Sequence, residues 1–513
     1  MRIVHMTSVH MWNDNRIFNK MCRSLARQGH EVHLVAVILF TLVVLLTGSR
    51  PVKVVFNELY RPQFHYSPER NYMGNPAGLV YLDGEYHLFY QHNPKGNEEG
   101  YSHLGHASSA DLIRWKHLPI AVFPDNLSED KEFCTALPGS ALVDHKNVLG
   151  FQQGEQKNLV IFYTSSGCGQ RMAYSSDKGQ TWQKYAGNPV IPYDSTDHAT
   201  GPKVLWHEPS SQWVMVLHRI PGNDERKQGF SFYTSENLVE WKYQSHLAGF
   251  WKSPDLMELR VNNRPDDTRW VLTEGQGNYI IGSFDGKSFT PESIRLKSDW
   301  GKNYSVSQTC SNIPASDGRT IHLAGMLGGE WTGMHFSGQM TFPCELSLKK
   351  FITGIYLIRQ PVKEIEQLYL KTQSWKNENL IPGLGQNLIK KVQGDCLRIK
   401  GRFNLKNCES FGFMLRTGKK NQGTELVYNV KRETLSLLGH TVPLSPVDNK
   451  IHLDILLDRA SVEVFANNGQ ASISCNFFNQ EEDNGYMLYN TGGELLVEEL
   501  EIFKLNSVWE EDK

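Results

Sequence analysis

The stretch YSSDKGQTW (Tyr174–Trp182) joins the end of an apolar run to a Ser/Asp-rich turn and a returning aromatic. Variants of the phrase recur as HASSADLIRW (His106–Trp115), YTSENLVEW (Tyr233–Trp241) and GSFDGKSF (Gly282–Phe289). In chain order their starts lie 68, 59 and 49 residues apart. A unit of roughly 40 to 60 residues with several strands cannot bury its apolar face alone, and units of this kind ring up as propeller blades. Four phrases over about 300 residues fit five blades.

Outward from these phrases, residues 56–362 carry short β-type runs such as GLVYLDGEYHLFYQH, NLVIFYTSS, QWVMVLHRI and RWVLTEG, broken by Gly, Pro, Asn and Asp. Long segments of 3.6-residue periodicity are absent, so the region is expected to be all-β, a five-bladed propeller. After QPVKEIEQLY (Gln360–Tyr369) the texture changes. Alternating runs such as CLRIKGRFNL, FGFMLRT and HLDILLDRASVEVFANNG predict a β-sandwich over 380–505. Residues 363–379 read as a linker, with IEQLY as a helical piece of it.

Residues 1–50 read differently, as a leader. MRIVHM suggests a strand and RIFNKMCRSLARQGH a helix, before an apolar run from Leu34 to Leu46 interrupted only by Thr41. A membrane-spanning helix needs about 20 apolar residues, so this run is short for one. With Arg23 and Arg27 upstream and Gly48 and Ser49 downstream it fits the h-region of a secretory signal, and a buried strand or helix is the other reading. The signal reading predicts an extracytoplasmic protein, secreted or surface-associated, with no membrane contact beyond an N-terminal signal or anchor. HMTSVHMWNDNRIF and SLARQGHEVHLVA resemble the opening of retaining, GT-B-type glycosyltransferases, over only about 36 residues. Nothing later continues that resemblance, so the segment reads as a fused leader without function.

Composition narrows the function classes. The chain has 513 residues, 40% of them hydrophobic and 11% aromatic, enough for large cores. Lys and Arg number 53 against 55 Asp and Glu, a net charge of −2, so the basic surplus of a nucleic-acid binder is missing. Eight cysteines are scattered without a CxxC pair, which argues against a zinc ribbon. No phosphate-binding glycine loop, metal-ligand cluster or nucleophile elbow is present, and neither a cofactor nor a metal is expected.

NYMGNPAGLVYLDGEYHLFYQHNP (Asn71–Pro94) resembles the opening blade of glycoside hydrolase family 32, the β-fructosidases: invertases, levanases and inulinases. SHLGHASSADLIRWKHLPIAVFPD, LPGSALVD, GPKVLWHEPSSQWVMVL, SPDLMEL, PCELSL and LDRASVEVFANNG follow in that family's order, so the resemblance covers about 440 of 513 residues. It implies a five-bladed propeller with a C-terminal sandwich and a carbohydrate ligand. SSDKGQT with Trp182 also matches the Asp-box turn common in propellers of sugar-acting proteins, a structural turn by default.

The family's chemistry rests on three acidic motifs, and a retaining glycosidase needs one carboxylate as nucleophile and another as acid/base, about 5 to 5.5 Å apart. The nucleophile is the Asp of W-M-N-D-P-N-G, and here Tyr72-Met73-Gly74-Asn75-Pro76-Ala77-Gly78 puts Asn75 in its place. The acid/base is the Glu of E-C-P-D, and here Lys252-Ser253-Pro254-Asp255 puts Lys252 there. The third motif, R-D-P, becomes Thr200-Gly201-Pro202 and loses both side chains. An amide is a poor nucleophile, and an ammonium group with a reference pKa near 10.4 is a weak acid at neutral pH. The expected protein is therefore a catalytically impaired or inactive β-fructosidase-like chain. It is expected to bind a fructan- or sucrose-type sugar through Asn75, Gln91, Glu99, Lys252, Tyr304 and Trp331. His106 reads as structural. The alternative is an active hydrolase with relocated carboxylates, for which Glu98, Glu99, Asp194, Asp197 and Glu258 are the candidates; a pure interaction scaffold is a third reading.

Overall fold

The computed structural model describes residues 2–5, 31–34, 56–125, 134–383, 387–418 and 423–509. Its contacts divide the chain into two units, 1–55 and 56–513. In the first unit, strands Arg2–His5 and Glu31–Leu34 pair in parallel. The rest of the leader, including nearly all of the apolar run read as a signal, lies outside the described residues.

The second unit is all-β: a five-bladed β-propeller followed by a β-sandwich. The innermost strands of the five blades are Asn71–Leu82, Ala136–Asp144, Thr200–His207, Asp255–Arg260 and Tyr304–Ser311. Each leads outward through an antiparallel sheet of sequential strands, as short hairpin connections dictate. The ring closes where the innermost strands of the fifth and first blades pair in parallel, Cys310 opposite Leu79 and Ser311 opposite Val80. Apolar side chains fill every gap between blades. Phe89 and Leu104 meet Ala141 and Ile161; Phe162 and Met172 meet Trp213 and Met215; Phe230 and Phe232 meet Leu256 and Leu272; Val271 and Ile281 meet Leu346 and Leu348.

The repeated phrase has one physical content. The Trp115 indole donates to Leu112 O at 2.8 Å, Trp182 to Gly179 O at 3.1 Å and Trp241 to Leu238 O at 3.1 Å. The acidic or amide residue of each turn accepts backbone N–H groups: Asp111 from Arg114, Asp177 from Thr181, Asn237 from Glu240 and Asp285 from Ser288. Each phrase thus satisfies its own turn, while Trp182 meets Phe89 of the first blade, Trp241 meets Phe162 of the second and Trp115 packs on Tyr66. A disulfide joins Cys134 to Cys168 in the second blade.

The sandwich packs a six-stranded sheet on a five-stranded one around Phe403, Phe411, Phe413, Leu426, Ile455 and Val464. Tyr369–Leu380, most of the segment read from the sequence as linker, is the outer strand of the larger sheet and pairs with Leu495–Leu505. Only Lys363–Leu368, a short 3-10 helix, connects the two modules. They are locked by buried polar groups. Asp458 accepts from the backbone N–H of Gln63, Phe64 and His65, while Arg359 donates to Asp299 at 2.6 Å beside Ser472 and Ser474.

Candidate functional site

Four of the five innermost strands share an irregularity near their starts, Asp255–Arg260 being the exception. Register shifts fall between Met73 and Pro76, Leu137 and Ser140, Thr200 and Lys203, and Tyr304 and Ser307. Bulges of this kind re-aim side chains beside functional sites. Those of the first and third blades carry the motifs of Asn75 and Gly201, while the fourth blade's Lys252 sits in the loop that leads into Asp255–Arg260.

Asn75 bridges blades one and five there: its Oδ1 accepts from Val306 N at 3.3 Å, and Gly325 leaves room for it. Gly74, where the family pattern carries Asn, lies against Gln91: a Cβ would stand 2.6 Å from Gln91 Oε1, so a larger residue needs that side chain to shift. Gln91 is buried and its Nε2 donates to Glu99 Oε1 at 3.2 Å. Glu99 is exposed, and burial followed by the Glu99 charge raises the Tyr72 phenol well above its usual range.

Gly201 lies against the loop that carries Lys252. A Cβ on it would come 3.2 Å from Ser253 Cα, and its φ of 67° suits glycine. Lys252 and Ser253 are themselves left-handed, φ 49° and 35°. The Lys252 ammonium stands 4.5 Å above the half-exposed Trp251 ring, and no carboxylate pairs with it among the described residues. Beneath the motifs, buried Lys203 and Asp255 pair at 2.7 Å and both engage Thr309, tying the innermost strands of blades three, four and five together.

Two groups invisible to motif reading complete this corner. Glu274, buried at the end of Thr268–Thr273, accepts from Trp251 N at 2.7 Å and pairs with Arg295 at 3.0 Å, fixing the loop from below; burial raises its pKa. Its only sequence signal is the glycine-flanked TEGQG. His218, also buried, stands 3.4 Å from Thr200 Oγ1 through Nδ1 and 3.0 Å from Gln228 Nε2 through Nε2. Burial, reinforced by the Lys252 charge, lowers its pKa to about 4, so it is neutral near pH 7.

The remaining sequence candidates lie as follows. Tyr304, expected to contact sugar, is instead a core residue. It is 3% exposed and lies under the Arg359 guanidinium, 4.7 Å away, and burial raises its phenol to about 12. Trp331 is half-buried against Phe336 and Phe478 and donates to Gly328 O at 3.2 Å. Of the alternative carboxylates, Asp197 is buried in an ion pair with Arg219 and exposed Glu258 accepts from Thr268. Asp194 caps Thr196 in a fully exposed turn, and Glu98 is exposed beside Glu99. His106 is buried against His87. Among the described residues no group of three or more His, Cys, Asp or Glu side chains is placed to hold a metal ion. The replaced positions themselves thus offer an amide, a bare backbone and an ammonium group.

Comparison with known proteins accounts for the architecture. The sequence model of the glycosyl hydrolases family 32 N-terminal domain matches residues 65–361, and that of the family's C-terminal region matches 364–504. A levanase of Bacillus subtilis (strain 168) is 37% identical over 519 residues, covering 92% of this chain and 74% of its own. An extracellular exo-inulinase of Aspergillus awamori is 28% identical over 531 residues, covering 88% of this chain and 96% of its own. The crystal structure of the exo-inulinase from Aspergillus awamori aligns with a TM-score of 0.80 at 26% identity, over 89% of this chain and all of that one. A fructofuranosidase from Schwanniomyces occidentalis complexed with fructose aligns at 0.75 and 21% identity over 89% of this chain, a likeness of fold alone.

Proposed function

Since the chain belongs to glycosyl hydrolases family 32, we propose that it is a non-hydrolysing member that binds a fructan- or sucrose-type sugar at the funnel end bearing Asn75, Gly201 and Lys252. One observation carries this reading: the nucleophile and acid/base positions hold Asn75 and Lys252, while the R-D-P position holds the left-handed Gly201. A glycosyl-enzyme needs a carboxylate on the anomeric carbon and a second acid on the leaving oxygen. Asn75 has a neutral amide engaged by Val306 N–H. Lys252, exposed and unpaired with any carboxylate among the described residues, puts an ammonium group where the reaction needs a carboxylic acid.

The surrounding frame supports binding. Gln91 and Glu99 on one side, and Thr200, His218 and Trp251 on the other, supply donors, acceptors and an exposed indole, the mixture that sugars require. The Cys134–Cys168 disulfide and the extracellular exo-inulinase relative support a place outside the cytoplasm.

The test is direct. Fructose release from sucrose, inulin and levan is measured alongside calorimetric titration with a short fructo-oligosaccharide. Binding without release is expected; release at a rate comparable to an active levanase sinks the reading.

A further inference from the structure

We propose that the funnel corner built by Thr200, His218, Gln228 and Lys252 binds an oxyanion carried by the sugar: a carboxylate, sulfate or phosphate group. The inference rests on the reading of the funnel as a sugar site and specifies the class of sugar. Its starting point is the exchange of charge. Relative to the family pattern, three carboxylates and one arginine give way to Asn75, Thr200, Gly201 and a single ammonium group, Lys252. Carboxylates accept hydrogen bonds from sugar hydroxyls; an ammonium group can only donate. The corner has therefore turned from accepting to donating.

The neighbouring groups are arranged in the same sense. Gln228 Nε2 is a donor, so the His218 Nε2 it approaches at 3.0 Å must accept. The proton of neutral His218 then sits on Nδ1, which faces Thr200 Oγ1 at 3.4 Å. With its oxygen accepting from the ring, the Thr200 hydroxyl is left to donate outward, beside Gly201. Gly201, next to Thr200, lies against Ser253, next to Lys252, with a Cβ on the glycine only 3.2 Å from Ser253 Cα, which places the Thr200 hydroxyl and the Lys252 ammonium on adjoining segments.

The nearby carboxylates are already neutralised. Asp197 is paired with Arg219, Glu274 with Arg295 and Trp251 N–H, and Asp255 with Lys203. Glu99 stands with Gln91 at the first-blade side. An ammonium group without a carboxylate partner, on a loop fixed by Glu274 and next to an oriented hydroxyl, suits a negative group better than a neutral hydroxyl.

The experiment is calorimetric titration of the full chain with four probes at low ionic strength: fructose, fructose 6-phosphate, D-glucuronate and inorganic phosphate. At least one charged sugar is expected to bind tenfold or more tightly than fructose, with a preference that weakens as salt rises. Lys252→Gln and, separately, Thr200→Val should each reduce that preference at least threefold. Fructose binding as tightly as both charged sugars, or a preference untouched by Lys252→Gln, overturns the proposal, and inorganic phosphate matching the sugar phosphate overturns its sugar part. Fructo-oligosaccharide binding without any gain from charge sinks this proposal and spares the sugar-binding reading. Fructose release from levan sinks the latter, whatever the titrations give.

Discussion

Gly201 and Ser253 meet at the seam of two adjacent blades: a Cβ on the glycine would lie 3.2 Å from Ser253 Cα and 3.4 Å from Ser253 Oγ. The third and fourth blades thus meet where the family pattern sets an aspartate beside the acid/base loop. Because Gly201 also has φ of 67°, returning an acidic side chain there carries backbone strain as well as crowding. Gly201→Asp by itself should lower unfolding stability by about 1–2 kcal/mol, read from denaturant titration. An unchanged midpoint would show that the loop yields freely.

Restored chemistry needs every missing group at once. Asn75→Asp alone should leave fructose release from levan at background, since acid–base assistance worth about 10²- to 10⁴-fold would still be missing. Asn75→Asp, Thr200→Arg, Gly201→Asp and Lys252→Glu together should produce measurable fructose. Strong release from the unmodified chain, abolished by Glu99→Gln, would instead point to relocated carboxylates.

His65 ties the start of the propeller to the sandwich and should make stability depend on alkaline pH. It is fully buried, which disfavours its charge, yet the carboxylates of Asp458 at 2.9 Å and Glu463 at 3.4 Å prevail and raise its pKa to about 9. A pKa raised on folding gives stability that is complete below the unfolded value of about 6.5 and is lost as pH climbs through 9. The melting temperature should fall across that window, and His65→Gln should flatten the fall while lowering the neutral-pH value. A wild-type profile flat from pH 6.5 to 9 would contradict this assignment.

Arg359 and Asp299 form the other buried lock, with both side chains almost entirely hidden from solvent. Arg359→Met leaves the Asp299 charge in the interior with only hydroxyl and backbone donors. The expected loss is about 3–5 kcal/mol in chemical denaturation. A loss below 1 kcal/mol would mean that Ser472, Ser474 and Tyr304 rearrange to compensate.

The blade phrase predicts a smaller, repeated effect. Trp241→Phe keeps the aromatic body but removes the donor to Leu238 O, and should cost about 1 kcal/mol, with a similar figure for Trp182→Phe. Differential scanning calorimetry on the two single variants and the double variant should show nearly additive losses, because the turns lie in separate blades.

The sequence by itself determined the elements whose physics is local. The Ser–Asx turn and the indole bond reach only three or four residues, so the phrases from His106 to Phe289 spell out the blade repeat. Alternation along 397–505 likewise announces a sandwich, and the motif order locates Asn75, Gly201 and Lys252. Tertiary structure decided the rest. Tyr369–Leu380 is largely exposed and shows no alternation to read; it is a strand only because its backbone pairs with Leu495–Leu505. Tyr304 lies at a register shift before Ser307, and such a shift exchanges the faces of a strand, which turns the ring onto Arg359. Glu274, His218 and Gln228 reach the corner of Thr200 and Lys252 from strand ends and loops of two blades. Thr200 faces His218 across one hairpin and Trp251 meets Glu274 at the end of another, so each half is built within a blade, and the packing of the third blade on the fourth brings the halves together where Gly201 meets Ser253.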